Sequence, residues 1–170
     1  MTGPRRERKS RHAGVIWAGV GVWLLFGGVA AALSVSDPAL TERVVVNRHT
    51  GLAIDGFDPV AYFVDSAAAM GRPEFEMRSH GATWQFRNEG NRAAFAANPN
   101  VYMPRFGGYD PVAVARGAAT AGNPYLWLIA RERLYLFYSN EAREAFAADP
   151  ENAIAAAERN WPAVRNTLIP

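Results

Sequence analysis

Alternating apolar and polar residues predict two β-hairpins after residue 50. Residues 74–79 (EFEMRS) and 82–87 (ATWQFR) alternate around a tip at His80-Gly81, as half-buried strands do. Residues 125–130 (YLWLIA) and 133–138 (RLYLFY) form the second pair. Their nearly continuous apolar character predicts that the second hairpin is the more deeply buried one.

Each hairpin is followed by a pattern that is typical of a helix. Apolar spacing predicts helices at Glu89–Ala97 and Asn140–Ala148, with Asn88 and Ser139 as N-caps. These helices put Phe95 and Phe146 on their apolar faces. Each hairpin and helix together therefore make a small unit with one apolar side.

Outside these units the pattern is weaker. It predicts a linker and a short strand over residues 34–50, with the strand at residues 43–46. The chain ends in two predicted helices, 151–160 and 162–168, divided at Trp161-Pro162 because proline removes a helical hydrogen bond.

One sequence block occurs twice. GFDPVA at residues 56–61 is matched by GYDPVA at 108–113, and residues 83–99 are matched by 134–150 at nearly the same offset. Two blocks in one order indicate a structural unit used twice. We expect an α+β fold in which tandem units, about 54–100 and 106–150, pack as one compact domain over residues 51–170 because one unit alone has little core.

Residues 13–33 contain no charged side chain and are long enough to cross a bilayer as a helix. The basic tail before them, residues 1–12, predicts a cytoplasmic N-terminus and an extracytoplasmic domain at the inner membrane. A cleaved signal peptide is the alternative, although its apolar region is usually shorter. Gly27-xxx-Ala31 would also allow a weak homodimer through the anchor.

Composition excludes several chemistries. The chain has no cysteine, which excludes disulfides, thiolate metal sites and thiol catalysis. Five of the 18 basic residues and one of the 16 acidic residues lie within residues 1–12. The rest is therefore mildly acidic, and no nucleic-acid partner is expected.

Asp110 has two interpretations. Its carboxylate could act as a base or bind a cation, with Arg105 or Arg116 completing an enzyme site. Alternatively it caps a helix that begins at Pro111, as Asp58 would cap one at Pro59. The duplication favours the cap, since a helix start is needed twice and a base is not. If the Asp110 oxygens accept hydrogen bonds from backbone N–H groups, the enzyme hypothesis loses its base.

Ligand binding at the seam between the units is the other candidate role. The candidate residues are Asp58, Trp84, Arg105, Tyr109, Asp110 and Arg116. A copper or other divalent site from Met77, His80 and Met103 is an alternative. No cofactor is predicted.

Besides the repeated Asp-Pro-Val blocks, the chain contains the motifs GATWQF (81–86), NRAAF (91–95), Asn98-Pro99, Tyr102, Pro104 and FGGY (106–109). Together these motifs resemble the YHS domain over residues 51–150. Through Trp161-Pro162 the chain is also similar to stand-alone bacterial members, which are small exported or anchored proteins. Metal-handling members carry cysteines where this chain has residues such as Ala61 and Ala113, and many stand-alone members carry one where it has Asp110.

The resemblance implies the scaffold without its thiolate chemistry. We therefore expect a membrane-anchored binding or accessory module without catalytic activity. It would bind a small ligand, or a membrane or periplasmic protein partner, at the seam.

Overall fold

The computed structural model describes residues 44–168. The predicted tail, the predicted anchor and residues 34–43 of the predicted linker lie outside the described residues. Within 44–168, no helix is both long enough and apolar enough to cross a bilayer.

Residues 44–103 form the first half of the fold, which is mixed α+β. Its elements run from a 3₁₀ turn to two consecutive helices. They are the turn Ile54–Gly56, α1 (Ala61–Val64), β1 (Arg72–Ser79), β2 (Ala82–Phe86), α2 (Glu89–Ala97) and α3 (Pro99–Tyr102).

Residues 104–168 form the second half, and its elements follow in the same order. They are the 3₁₀ turn Arg105–Gly108, α4 (Pro111–Val114), β3 (Asn123–Ala130), β4 (Arg133–Phe137), α5 (Asn140–Ala148) and α6 (Pro150–Asn166). Each half contains one two-stranded antiparallel sheet, β1 with β2 and β3 with β4.

Both predicted hairpins and the helices that follow them are confirmed. The side chain of Asn88 accepts a hydrogen bond from the backbone N–H of Asn91 at 2.9 Å. Ser139 does the same for Ala142 at 3.2 Å. These bonds satisfy one of the orphan N–H groups at the start of α2 and α5.

The first strand of each hairpin begins two residues earlier than the alternation predicts. Each ladder has an irregular register near its start, between Arg72 and Glu76 in one and between Asn123 and Trp127 in the other. Pro73 and Pro124 lie in these stretches. Because proline has no N–H to donate, it fits a strand only where the ladder is interrupted.

Two expectations are wrong. In place of the short strand at 43–46, the described residues have only an isolated bridge between Val46 and Ala53. The two C-terminal helices are one helix, α6, which runs through Pro162. Trp161 and Val164 are buried in the core on either side of Pro162. Their packing offsets the hydrogen bond that proline removes, so helix α6 continues.

Strand β4 is buried on both faces, as its continuous apolar sequence predicts. Leu134 and Leu136 belong to a core that also contains Trp84 and Phe95 of the first half. Tyr135 and Phe137 point the other way, into a second core with Phe146 and other residues of the second half. Because side chains alternate along a strand, β4 forms a wall between the two cores.

Further contacts join the halves on the β3 side. The buried Tyr62 hydroxyl donates a hydrogen bond to the Pro124 carbonyl oxygen at 3.0 Å. The Tyr62 ring packs edge-on against Trp127, and the Phe57 ring packs edge-on against Tyr125. Burial raises the pKa of the Tyr62 phenol above its ordinary value, and the nearby Asp58 carboxylate adds to the shift.

In each half, one glycine allows the hairpin to pack against the 3₁₀ turn of the same half. The Gly71 N–H donates to the Gly56 carbonyl, and the Gly122 N–H donates to the Gly108 carbonyl. A Cβ on Gly122 would lie 2.6 Å from the Leu136 Cβ and 2.8 Å from the Gly108 carbonyl oxygen. Only glycine permits this approach of backbone to backbone.

We predict that Gly122→Ala lowers the free energy of unfolding by about 1–3 kcal/mol, the usual cost of forcing an extra carbon into a packed site. Gly90→Ala is the matched control. Gly90 lies in α2, and within 4 Å its added Cβ would meet only the Asn88 side-chain oxygen, at 3.2 Å. Chemical denaturation of both full-length variants measures the difference. Equal stability of the two variants would contradict the packing argument.

We predict that Tyr62→Phe lowers stability near neutral pH by about 1 kcal/mol, through loss of one hydrogen bond. The ordinary tyrosine pKa is 10.0. Since folding raises the pKa of Tyr62, its contribution is complete below pH 10 and is lost as the pH rises further. Denaturation curves from pH 8 to 11 should show the gap between wild type and variant narrowing above pH 10. A constant gap would contradict this assignment.

Candidate functional site

Asp58 is fully buried, and both of its carboxylate oxygens are bonded. Oδ1 accepts hydrogen bonds from the backbone N–H groups of Val60 at 2.8 Å and Ala61 at 3.3 Å. Oδ2 accepts from the Arg87 backbone N–H at 2.8 Å and from the Asn91 side-chain amide at 2.6 Å. One carboxylate thus connects the start of α1 to the end of the first hairpin.

Asp110 makes the corresponding bonds in the second half and is 1 % exposed. Its Oδ1 accepts from Val112 N–H at 2.7 Å and Ala113 N–H at 3.2 Å, at the start of α4. Its Oδ2 accepts from Tyr138 N–H at 2.8 Å, just after β4. The geometry is that of the predicted helix cap. Since backbone N–H groups hold both oxygens in a buried position, the enzyme alternative loses an accessible base.

The structure places the other predicted ligand-binding residues apart from one another. Trp84 is completely buried, packs on Phe95 and donates its indole N–H to the Ser79 carbonyl at 3.0 Å. Arg105 forms an ion pair with Glu158 at 3.0 Å. Arg116 is exposed and lines a cavity of about 360 Å³ between the end of α4 and α6.

The residues of the alternative metal site have separate roles. Met103 is 7 % exposed and belongs to the first core, and Met77 packs against the same core. His80 is at the hairpin tip, where Nδ1 lies 2.7 Å from the Ser79 hydroxyl. Residues 44–168 contain no group of three or more histidine, aspartate and glutamate side chains placed to hold a metal ion.

A groove of about 680 Å³ lies at the seam between the halves, and we call it the seam groove. Segment 44–46 forms one wall. Its central residue, Val45, donates its N–H to the Gly107 carbonyl at 2.7 Å and accepts from Ile54 N–H at 3.0 Å, so it joins the 3₁₀ turns of both halves. The lining residues are Val44, Val45, Val46, Arg48, Tyr109, Ala119, Thr120, Ala121, Thr167 and Leu168.

Tyr109 connects the seam groove to the second core. Its ring packs on Trp161 with centroids 6.1 Å apart, and Leu168 also packs against this core. The indole Nε1 of Trp161 is buried and, among the described side chains, has no hydrogen-bond partner. A buried donor without an acceptor costs stability, so the core beneath Tyr109 contains one polar group that packing alone does not satisfy.

Of the predicted ligand-binding residues, only Tyr109 lines the seam groove. The sequence argument missed Arg48 and the walls at 44–46 and 119–121. The sequence predicted a short strand for Val44, Val45 and Val46. Their place between the two turns depends on the backbone bond from Val45 to Gly107, which spans more than fifty residues. No local pattern encodes such a contact.

Comparison with known proteins adds no family to this description: no protein-family model, no curated protein and no solved structure matches the chain.

We predict that Asp58→Asn and Asp110→Asn each lower the free energy of unfolding by about 2–4 kcal/mol. Both replace charge-assisted hydrogen bonds to buried N–H groups by weaker or repulsive contacts. Asp58→Asn should cost more, because its carboxylate also accepts from the Asn91 amide. Chemical denaturation measures both changes.

Glu144→Gln, on the exposed face of α5, is the control and should leave stability within about 0.5 kcal/mol of wild type. If Asp110→Asn were as stable as this control, the carboxylate would not be a structural connection between α4 and β4.

Proposed function

We propose that this chain is a membrane-anchored, extracytoplasmic YHS-type module that binds a ligand or a partner and does not catalyse a reaction. The observation that carries the proposal is the seam groove, which is lined by residues 44–46 and 48 of the first half, by residues of the second half and by the two residues that follow α6. Grooves of this kind are where small molecules bind most often.

We also propose that the two halves are tandem copies of one YHS-like unit. Supporting this, Asp58 and Asp110 bond the same positions of their halves, as do Gly71 and Gly122. Two copies with the same scaffold could still differ in sequence at the seam. Segment 44–46, which lines the seam groove, belongs to neither repeated unit.

The two aspartates support a binding role over a catalytic one. In many relatives a cysteine occupies the position of Asp110, whereas here the carboxylate is buried and bonded to backbone. The position therefore contributes stability in this chain. The groove combines apolar side chains with polar groups, including Arg48 and Tyr109, and such a combination suits a binding site.

Residues 13–33 are the proposed membrane anchor. A helix there, preceded by the basic tail, would hold the module at the outer face of the inner membrane.

We predict that native mass spectrometry of the full-length protein, extracted gently from its host, shows an added mass that Ala119→Trp removes. Ala119 is exposed and lines the groove, so tryptophan would fill the space without entering the core. The matched control is Ala118→Trp at the exposed neighbouring position, which does not line the groove.

An added mass that persists in Ala119→Trp, or none in the wild type, would contradict binding at the seam. An added mass equal to a metal ion would favour the metal-binding alternative.

A further inference from the structure

We propose that the seam groove binds a small molecule with an apolar body and one carboxylate, and that Arg48 holds the carboxylate. This inference rests on the proposed function, because it names the chemical class of the ligand for the same groove. It is carried by the composition of the walls, the charge of Arg48 and the way the turn that bears Arg48 is fixed.

The walls of the groove contain both apolar and polar surface, with the apolar part somewhat larger. Valine, alanine and leucine side chains make up most of the lining, with the Tyr109 ring and two threonines. The volume of about 680 Å³ lies within the range of sites for small organic ligands. An apolar body of one or two rings, or a short alkyl chain, would gain free energy by leaving water here.

Arg48 is the one charged side chain among the described residues that line the groove. Some surface arginines, such as Arg87 with Asp65 and Arg105 with Glu158, have carboxylate partners, whereas others, such as Arg78 and Arg116, form no ion pair within the described residues. Within the described part of the chain, the Arg48 guanidinium makes no ion pair and no hydrogen bond. The groove therefore carries an uncompensated positive charge beside apolar surface.

The backbone that carries Arg48 is held by its neighbours. The Asn47 side-chain oxygen accepts from His49 N–H at 2.9 Å and Thr50 N–H at 3.1 Å. The Asn47 carbonyl accepts from Gly51 N–H at 2.8 Å, and its side-chain amide donates to Asp55 at 3.0 Å. A turn fixed at this many points presents its arginine from a defined position, which reduces the entropy lost on binding.

A carboxylate fits this site better than a phosphate or a neutral group. A guanidinium binds a carboxylate through two parallel hydrogen bonds, and one arginine neutralises its single charge. A phosphate carries more charge than one arginine balances, and the lining residues within 44–168 include no second cation. A neutral ligand would leave the guanidinium partly desolvated without compensation.

The test uses two probes of the same shape, 2-naphthoate and 2-naphthamide, titrated by calorimetry into full-length protein in lipid nanodiscs. We expect the carboxylate to bind about tenfold tighter than the amide, the effect of one charge-assisted interaction. Ala119→Trp in identical nanodiscs defines the signal that does not come from the groove.

Arg48→Gln should remove the preference for the carboxylate and leave the binding of the amide unchanged. Arg78→Gln is the matched control, since Arg78 is an exposed arginine on β1 away from the groove. It should keep the tenfold preference. Competition between decanoate and bound 2-naphthoate then identifies the type of ligand. Displacement of 2-naphthoate by decanoate indicates an alkyl acid, and no displacement indicates an aromatic acid.

The outcomes separate the two proposals. Equal binding of naphthoate and naphthamide, both blocked by Ala119→Trp, would overturn the role of Arg48 and keep the seam groove as a binding site. A carboxylate preference that Arg48→Gln retains would also overturn it. Binding of neither probe by wild-type protein would overturn this inference, while the native mass spectrum decides the proposed function independently.

Discussion

One buried carboxylate holds each half of this protein together, Asp58 in the first half and Asp110 in the second. Asp58 and Asp110 each accept backbone N–H groups from the start of a short helix with one oxygen and from the residue after a hairpin with the other. Helices of four residues are too short to be stable alone. The carboxylates fix them to the hairpins, and the positions of the 3₁₀ turns and the seam follow from that connection.

The halves associate because β4 belongs to both cores. Leu134 and Leu136 complete the core of the first half while Tyr135 and Phe137 face the second. Neither half could bury its apolar surface without this strand, which explains why both are in one chain. Segment 44–46 crosses the same boundary through backbone bonds. The seam groove is therefore lined by residues of both halves and depends on their association.

Asp110 shows how a buried carboxylate can serve the fold. Three backbone N–H donors compensate its charge in a buried position. Among the described residues that line the seam groove, the charged side chain is Arg48, which lies outside both repeated blocks. The proposed function thus depends on residues that surround the repeat, while the repeated aspartates maintain the frame.

Sequence patterns by themselves determined the hairpins, the helices α2 and α5 with their caps, the continuous apolar character of β4 and the cap that Asp110 makes at Pro111, whereas the helix predicted at Pro59 begins at Ala61. These features depend on alternation, helical periodicity or hydrogen bonds between close neighbours, which are local properties. The bonds from Asp58 to Arg87 and from Asp110 to Tyr138 span 29 and 28 residues and are not local. Only the tertiary structure decided that α6 continues through Pro162, that Trp84 and Met103 are core residues, and that Tyr109 and Arg48 line one groove. These outcomes depend on contacts between residues far apart in the chain, where packing energy exceeds local preference.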